Sequence, residues 1–358
     1  MSCLSCVITT HIKHKYIISI SHFTSKIKRK GSTELNKIIK LDAAVIASAS
    51  AVGKLEYSGP LGSYFDIHDE SEKFGEDSYE HAESSMQRAA MNTAIAKSGL
   101  SESNIDAIFA GDLMNQCTGS AFGMLGYEIP YFGLYGACST AAEGLMLAAM
   151  AVSGGALNTV ASIASSHYCT AERQYRSPLE YGSQRPPTAQ WTVTGAGAFI
   201  VGREGRVTVT GALPGIVREM GVRDANNMGA AMAPAAADTI LRYFDQCRDC
   251  ELVDCIVTGD LGFEGSAILR DLIADKTISD KLTDCGQLIY DPNTQDVHSG
   301  GSGCGCSAAV MASYFIPRLW KRELRQILFV GTGAMMSPMT VQQGDGIPAV
   351  AHLVRLES

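Results

Sequence analysis

The chain has 358 residues, a formal net charge of −8, 46% hydrophobic residues and only 18% charged ones. That balance excludes a disordered chain, and it argues against a general nucleic-acid binder, which needs a basic footprint. Its 42 alanines and 36 glycines let backbones approach closely, which suits helices pressed tightly on sheets in a layered α/β fold.

In chain order, residues 1–40 stand apart. They carry eight Lys or Arg and one Glu, a net of +7, so the other 318 residues carry −15. We read 1–40 as a basic N-terminal extension, either disordered or lying on an anionic surface through Lys26, Lys28, Arg29 and Lys30. No run reaches the roughly 18 apolar residues of a membrane-spanning helix. The short apolar run at 16–20 is flanked by lysines and serines, unlike a signal-peptide core. Eleven cysteines without an export signal read as free thiols in a reducing compartment.

The body opens with an apolar run over 43–51, a predicted strand. A Gly-Pro turn follows at 58–66, then an acidic stretch to residue 83. Alanine and methionine spacing predicts a helix over 78–96. Strands are predicted over 107–113, 129–136 and 159–166, with an alanine-rich helix over 139–155. A long polar loop is predicted over 167–191, then strands over 193–202 and 206–215. Alternation of this kind predicts α/β architecture.

Three short patterns recur in the same order. AIFAGDL (107–113) returns as CIVTGDL (255–261), GACSTAA (136–142) as GCSAA (305–309), and TVASIASS (159–166) as ILFVGTGA (327–334). The repeat predicts two similar halves, 41–202 and 203–358, each with a Gly-Asp-Leu strand end and a Cys-Ser helix start.

The first such helix start carries the clearest chemistry. In GLYGACSTAAEG (133–144) a strand ends in glycines, Cys138 sits at the turn, and a helix begins with Ser139 or Thr140 as N-cap. The positive end of the helix dipole favours a thiolate there, and free amides favour an anionic ligand group. Cys138 is either a nucleophilic or ligand-contacting cysteine, or a small thiol packed in the core. The CxxC formed by Cys247 and Cys250 has no second Cys/His pair at zinc spacing, and GGSGCGC lacks the lysine of a phosphate loop.

GACST resembles the nucleophile turn of the thiolase and ketoacyl synthase superfamily. That resemblance implies a duplicated five-layer αβαβα fold. Over about 45–356 the chain resembles the stage V sporulation protein AD (SpoVAD) family more closely. The stretches that carry this are GPLGSYFD (59–66), AGDLMNQ (110–116), SSHYCTAERQYR (165–176), EYGSQRPPTAQWTVTG (180–195), MGAAMAPAAADTI (228–240), TGDLGFEGS (258–266), DCGQLIYD (284–291), GGSGCGCSA (300–308) and TGAMMSP (332–338). Residues 1–40 lie outside that pattern.

Acyl transfer in the superfamily uses a second-half His in a Gly-His turn and a further His, Asn or Cys. Here Cys304 or Cys306 stands at that turn, and Asp260 occupies the other second-half position, where a carboxylate repels an oxyanion. His298 and His352 lack the family spacing. The nucleophile turn is retained without its partners, so a pseudo-enzyme that binds a ligand is expected. An active acyltransferase or condensing enzyme using Cys138 is the alternative.

What the resemblance implies is binding of dipicolinic acid, pyridine-2,6-dicarboxylate, and help in its uptake during sporulation. The ligand is a flat dianion, with calcium as a candidate companion and no resident cofactor. It requires donors for two carboxylates and an apolar slot. The candidate ligand residues are Cys138, Ser139, Ser166, His167, Arg173, Arg176, Asp260, Cys304 and Cys306, with Gln174 and Arg185 in the same polar loop. Asp112 and Asp260 are weighed as calcium ligands, but two aspartates fall short of a calcium cage, and strand-end caps are the plainer reading. Partners implied by the resemblance are other membrane-associated sporulation proteins of the SpoVA type, at the cytoplasmic side of the forespore inner membrane. A homodimer is expected by analogy with the superfamily.

Overall fold

The computed structural model describes residues 37–175, 184–247 and 250–358. The first strand, β1 (Ile39–Gly53), extends beyond the apolar run in both directions, and it changes partner along its length. Ile39–Val45 pair with β8 (Val207–Leu213), and Ala44–Val52 pair with β7 (Gly195–Gly202), with a register shift between Val45 and Ala47. A strand shared in this way joins two leaves of one sheet.

The leaves repeat one another. The first runs β4 (Tyr131–Gly133), β3 (Ala107–Gly111), β5 (Val160–Ser166), β7, β1. The second runs β10 (Leu282–Asp284), β9 (Cys255–Thr258), β12 (Gln326–Ala334), β13 (Ala349–Glu357), β8. In each leaf the first three strands are parallel and the last two pairings are antiparallel. Short β2 (Ile67–Asp69) pairs with β1, while β6 (Trp191–Thr192) and β11 (Gly301–Ser302) form a separate pair.

Helix α1 (Tyr79–Ser98) covers the first leaf. Ser78 caps it by accepting from the His81 amide, and it buries Ala82, Met86, Ala90, Met91 and Ala94. Its stop is Gly99 at φ 72°, a left-handed position where glycine carries no Cβ penalty. Helix α2 (Thr140–Ser153) lies between the leaves and packs on β1, β3, β5 and β7 of one and on β12 and β13 of the other. Helix α3 (Tyr168–Tyr175) falls inside the stretch expected to be a polar loop. It forms because Thr170 and Ala171 bury while its polar side chains find partners on other elements. Helix α4 (Met228–Gln246) covers the second leaf against β12 and β13, with α5 (Gly262–Leu272) beside it. Helix α6 (Cys304–Val310) packs on β5 and β7 in the central layer with α2. The layers are therefore helix, sheet, helix, sheet, helix.

The small residues do the work their abundance suggests. A Cβ on Gly197 would lie 2.2 Å from the Ala308 carbonyl oxygen, and one on Gly331 2.4 Å from the Ala142 Cβ. Central helices thus rest directly on strand backbone.

Several carboxyls are buried without a cation. Glu56 is fully buried, accepts from the Tyr290 hydroxyl and the Thr194 amide, and leaves Oε2 unpartnered. Burial pushes its pKa up to about 7. Asp284, which accepts from Thr258, Leu261, Gly262 and Gln287, is also pushed to about 7 by burial. A carboxyl whose folded pKa is raised contributes stability that is full below its unfolded pKa and is lost as pH rises through the folded one. We expect the thermal midpoint to fall as pH rises from about 4.5 to about 7, with Glu56→Gln flattening that slope. A melting series over this range checks it, and a wild-type midpoint that rises with pH would refute it.

Candidate functional site

The site is built on the turn before α2. Ala137 is held at φ 50°, a strained value for a residue with a Cβ, and Cys138 follows it. This turn opens onto a cavity of about 120 Å³. One wall is α3, through Ala171, Glu172 and Tyr175. A second is the 189–192 segment, through Ala189, Gln190 and Thr192. Ser302 of β11, Leu113 beyond β3, Ala334 and Met336 at the end of β12, and Ala225, Asn226 and Met228 at the start of α4 complete it. The cavity lies at the carboxyl ends of β3 and β12, where open α/β sheets place ligands.

Asp260 sits directly behind this surface, fully buried at the end of β9. Its Oδ2 accepts from the Ser302 hydroxyl at 3.1 Å and the Gly303 amide at 2.8 Å, and its Oδ1 accepts from the Thr332 hydroxyl at 2.8 Å. Burial raises its pKa to about 6, against the lowering effect of these donors and of the Cys138 thiol. Cys138 Sγ lies 3.9 Å from Ser302 Oγ. Burial, then the Asp260 charge, hold the Cys138 thiol well above its ordinary range. The expectation of a dipole-favoured thiolate is therefore corrected. A helix terminus contributes at most about 2 kcal/mol, and desolvation beside a carboxylate exceeds that.

We expect Cys138 to react with iodoacetamide more slowly than the half-buried Cys247, and Asp260→Asn to speed it about tenfold, because removing the carboxylate charge favours the thiolate. Alkylation mapped by mass spectrometry checks this, and an unchanged rate in the variant would count against it.

The other expected site residues divide sharply. Ser139 donates to the Gly136 carbonyl at 2.6 Å and caps nothing. The Ser139 and Thr140 amides bond the Gly136 and Ala137 carbonyls, so neither is open to a carboxylate. Ser166 donates to the Val193 carbonyl and accepts from the Gly305 amide. His167 is buried, its Nε2 on the Glu72 carbonyl and its Nδ1 accepting from the Cys169 amide, and burial lowers its pKa. Arg173 pairs with Glu80 of α1 at 2.8 Å and lies over the Tyr79 ring. Arg185 pairs with Asp296 and lies over Trp191. Arg176 falls outside the described residues. Cys304 donates to the Ser165 carbonyl, and Cys306 to the Gly259 carbonyl, both buried. Of the expected set, the cavity wall carries Cys138, with Asp260 behind it, and no described arginine lines it.

Neither aspartate fits a resident calcium. Asp112 accepts from the Met114 and Ser120 amides and the Ser120 hydroxyl, as a strand-end cap does. Among the described residues no three His, Cys, Asp or Glu side chains converge on a metal position. His298 bonds the Pro186 carbonyl and Asp296, and His352 accepts from the Gly215 amide. Among the described residues no histidine lines the cavity.

Sequence reasoning missed Ser302, Gln190 and Tyr175. Gln190 donates through Nε2 to the Asp260 and Gly301 carbonyls, and its Oε1 is buried without a partner. The Tyr175 hydroxyl donates to the Leu113 carbonyl and lies 2.7 Å from the Tyr135 hydroxyl. Ser302 and Gln190 lie inside the quoted motifs GGSGCGCSA and EYGSQRPPTAQWTVTG. The available signal was a hydroxyl just before the second helix start, the one whose Cys306 answers Cys138 in the repeat.

Comparison with known proteins places this geometry. Among the described residues no helix is long and apolar enough to cross a membrane. Solved structures similar in fold include 3-oxoacyl-[acyl-carrier-protein] synthase III from Aquifex aeolicus, with TM-score 0.52 and 14% identity over 87% of this chain and 99% of that one. The Xanthomonas oryzae pv. oryzae enzyme of the same name gives TM-score 0.56 and 13% identity over 88% and 99% of the two chains. Cerulenin-bound OleA of Xanthomonas campestris gives TM-score 0.56 and 11% identity over 90% and 100%. The fold is thus the duplicated thiolase-like one. Stage V sporulation protein AD of Bacillus subtilis (strain 168) is 41% identical over 317 residues, 87% of this chain and 94% of that protein. The model of the family described as Stage V sporulation protein AD (SpoVAD) matches residues 35–357. The chain therefore belongs to the stage V sporulation protein AD family, a sporulation protein on a thiolase-like fold.

Proposed function

We propose that this chain binds dipicolinate in the cavity beside Cys138 and assists its uptake into the forespore, as a non-catalytic binder on a condensing-enzyme scaffold. The observation that carries this reading is the pairing of the Cys138 thiol with buried Asp260 in a small cavity that no described histidine lines. A thiol held protonated beside a carboxylate is a poor nucleophile and a serviceable wall. Apolar Ala137, Ala171, Ala189, Ala225 and Met228 offer a slot for a ring, and Ser302 and Thr192 offer hydroxyls at its edge. Calcium accompanying the ligand would enter as part of that ligand. Calorimetric titration with dipicolinate tests the reading, against pyridine-2-carboxylate as the one-carboxylate control. Saturable heat with the dicarboxylate, reduced by Ser302→Ala, is expected. Absence of saturable binding with and without calcium overturns it.

The strained Ala137 beside a cavity-lining Cys138 favours a second reading, acyl transfer through Cys138. Mass spectrometry after incubation with acyl-CoA decides it, since a stable adduct on Cys138 would displace the binder reading. We further propose work at the cytoplasmic face of the forespore inner membrane beside SpoVA-type partners, and a homodimer through β4. That strand ends its leaf with Tyr131, Phe132 and Gly133 all exposed. Light scattering on Phe132→Asp would show a monomer if β4 carries the dimer, and an unchanged dimer would exclude that surface.

A further inference from the structure

We propose that the cavity takes up a proton together with its carboxylate ligand, with Asp260 accepting the proton and Ser302 turning its hydroxyl from Asp260 to the ligand. The proposal rests on the carboxylate-binding reading above and adds how an acidic site could hold an anion.

The geometry creates the problem. Ser302 lines the cavity, and its one hydrogen is donated inward to Asp260 Oδ2. Its lone pairs therefore face an incoming ligand. Behind it Asp260 is fully buried, and among the described residues the charged side chain on the wall itself is Glu172. The titratable groups that feel the Asp260 charge are Cys138 from the turn before α2, Asp284 from the end of β10, Cys285 after it, and Cys304 and Cys306 from α6. Each is neutral or negative. A carboxylate placed against Ser302 thus meets an acceptor surface backed by a negative charge, which opposes binding.

One proton removes the conflict. Protonated Asp260 becomes a donor and can direct its O–H to Ser302 Oγ, the atom already 3.1 Å away. The Gly303 amide and the Thr332 hydroxyl keep acceptor oxygens on the same carboxyl. The Ser302 hydrogen is then released to point into the cavity and donate to a ligand oxygen. No bond other than O–H is made or broken, and the proton comes from solvent. With its pKa at about 6, Asp260 is mostly ionised in the empty site at neutral pH, so the proton must be gained on binding. The coupling is reciprocal, as linkage requires: the ligand raises the proton affinity of Asp260, and acid raises the affinity for ligand.

The test is calorimetric titration of the full chain with dipicolinate, in pairs of buffers that differ in ionisation enthalpy. Above pH about 6.5 the ligand's carboxyls are ionised, so proton uptake belongs to the protein. We expect uptake approaching one proton per ligand, with a Kd that weakens about tenfold per pH unit from pH about 6.5 to 8. Asp260→Asn should flatten that dependence, and Ser302→Ala should abolish the gain in affinity at the acid end. Binding with no proton uptake and a flat Kd overturns this inference and leaves the dipicolinate reading standing. No binding at any pH overturns both. The buffer-pair measurement uses the unaltered protein, so it decides the matter even if a variant fails to fold.

Discussion

Asp238→Ala should lower the unfolding free energy by about 3–5 kcal/mol, the cost of stripping a buried charge of its partner. Asp238 is 1% exposed and serves two guanidiniums. Its Oδ1 accepts from Arg218 at 2.6 Å and its Oδ2 from Arg242 at 3.0 Å. One carboxylate between two arginines leaves no substitute counter-charge in this cluster. Arg242, 12% exposed, retains the Pro214 carbonyl and the Thr239 hydroxyl but no anion, and Arg218 is 33% exposed and can turn toward water. Arg218→Ala alone should therefore cost less, because Asp238 keeps Arg242. The cluster ties α4 to the segment after β8, where Arg218 also bridges Ala349 through the backbone, and that segment leads to Ala225 and Asn226 on the cavity wall. Urea unfolding reads the effect. A loss below about 1 kcal/mol would mean that both arginines reach solvent and that the pair behaves as a surface contact.

The second large effect is expected at Gly305. A Cβ there would lie 2.1 Å from the Gly195 carbonyl oxygen and 2.6 Å from the Ser166 amide nitrogen. Both are backbone atoms of the first leaf, in β7 and β5, so no rotamer change relieves the clash, and α6 must move off β7. We expect Gly305→Ala to cost at least about 3 kcal/mol, the upper range of overpacking. Gly99→Ala is the contrast. It also fills a glycine, but nothing lies within 4 Å, so only the left-handed backbone at φ 72° resists it, about 1–2 kcal/mol. Because Ser302 and Gly303 lead into α6, the Gly305 variant should also weaken ligand binding. Equal midpoints for the two variants in thermal melts would show that α6 has slack the geometry denies it.

Strand ends and helix starts were legible in the chain because they are local. An apolar run that ends in Gly-Asp-Leu, and a cysteine before an alanine-rich helix, each state their own geometry, and the two leaves repeat the same pairing. Ser302 and the fate of the arginines were not legible, because each depends on residues far off in sequence. Arg173 looked like a ligand clamp in a polar loop, yet Glu80, 93 residues earlier, claims it across α1. The loop itself became α3 because it gained tertiary partners, which propensity does not see.

By itself the sequence determined the α/β alternation, the duplicated motifs, the Cys138 turn and the family, since these reside in periodicity and in contiguous motifs. Tertiary structure alone decided the state of the site. Folding brings Asp260 and Ser302 of the second half against Cys138 of the first and buries the carboxyl and the thiol. Desolvation, rather than the helix dipole, then sets which of them holds a proton.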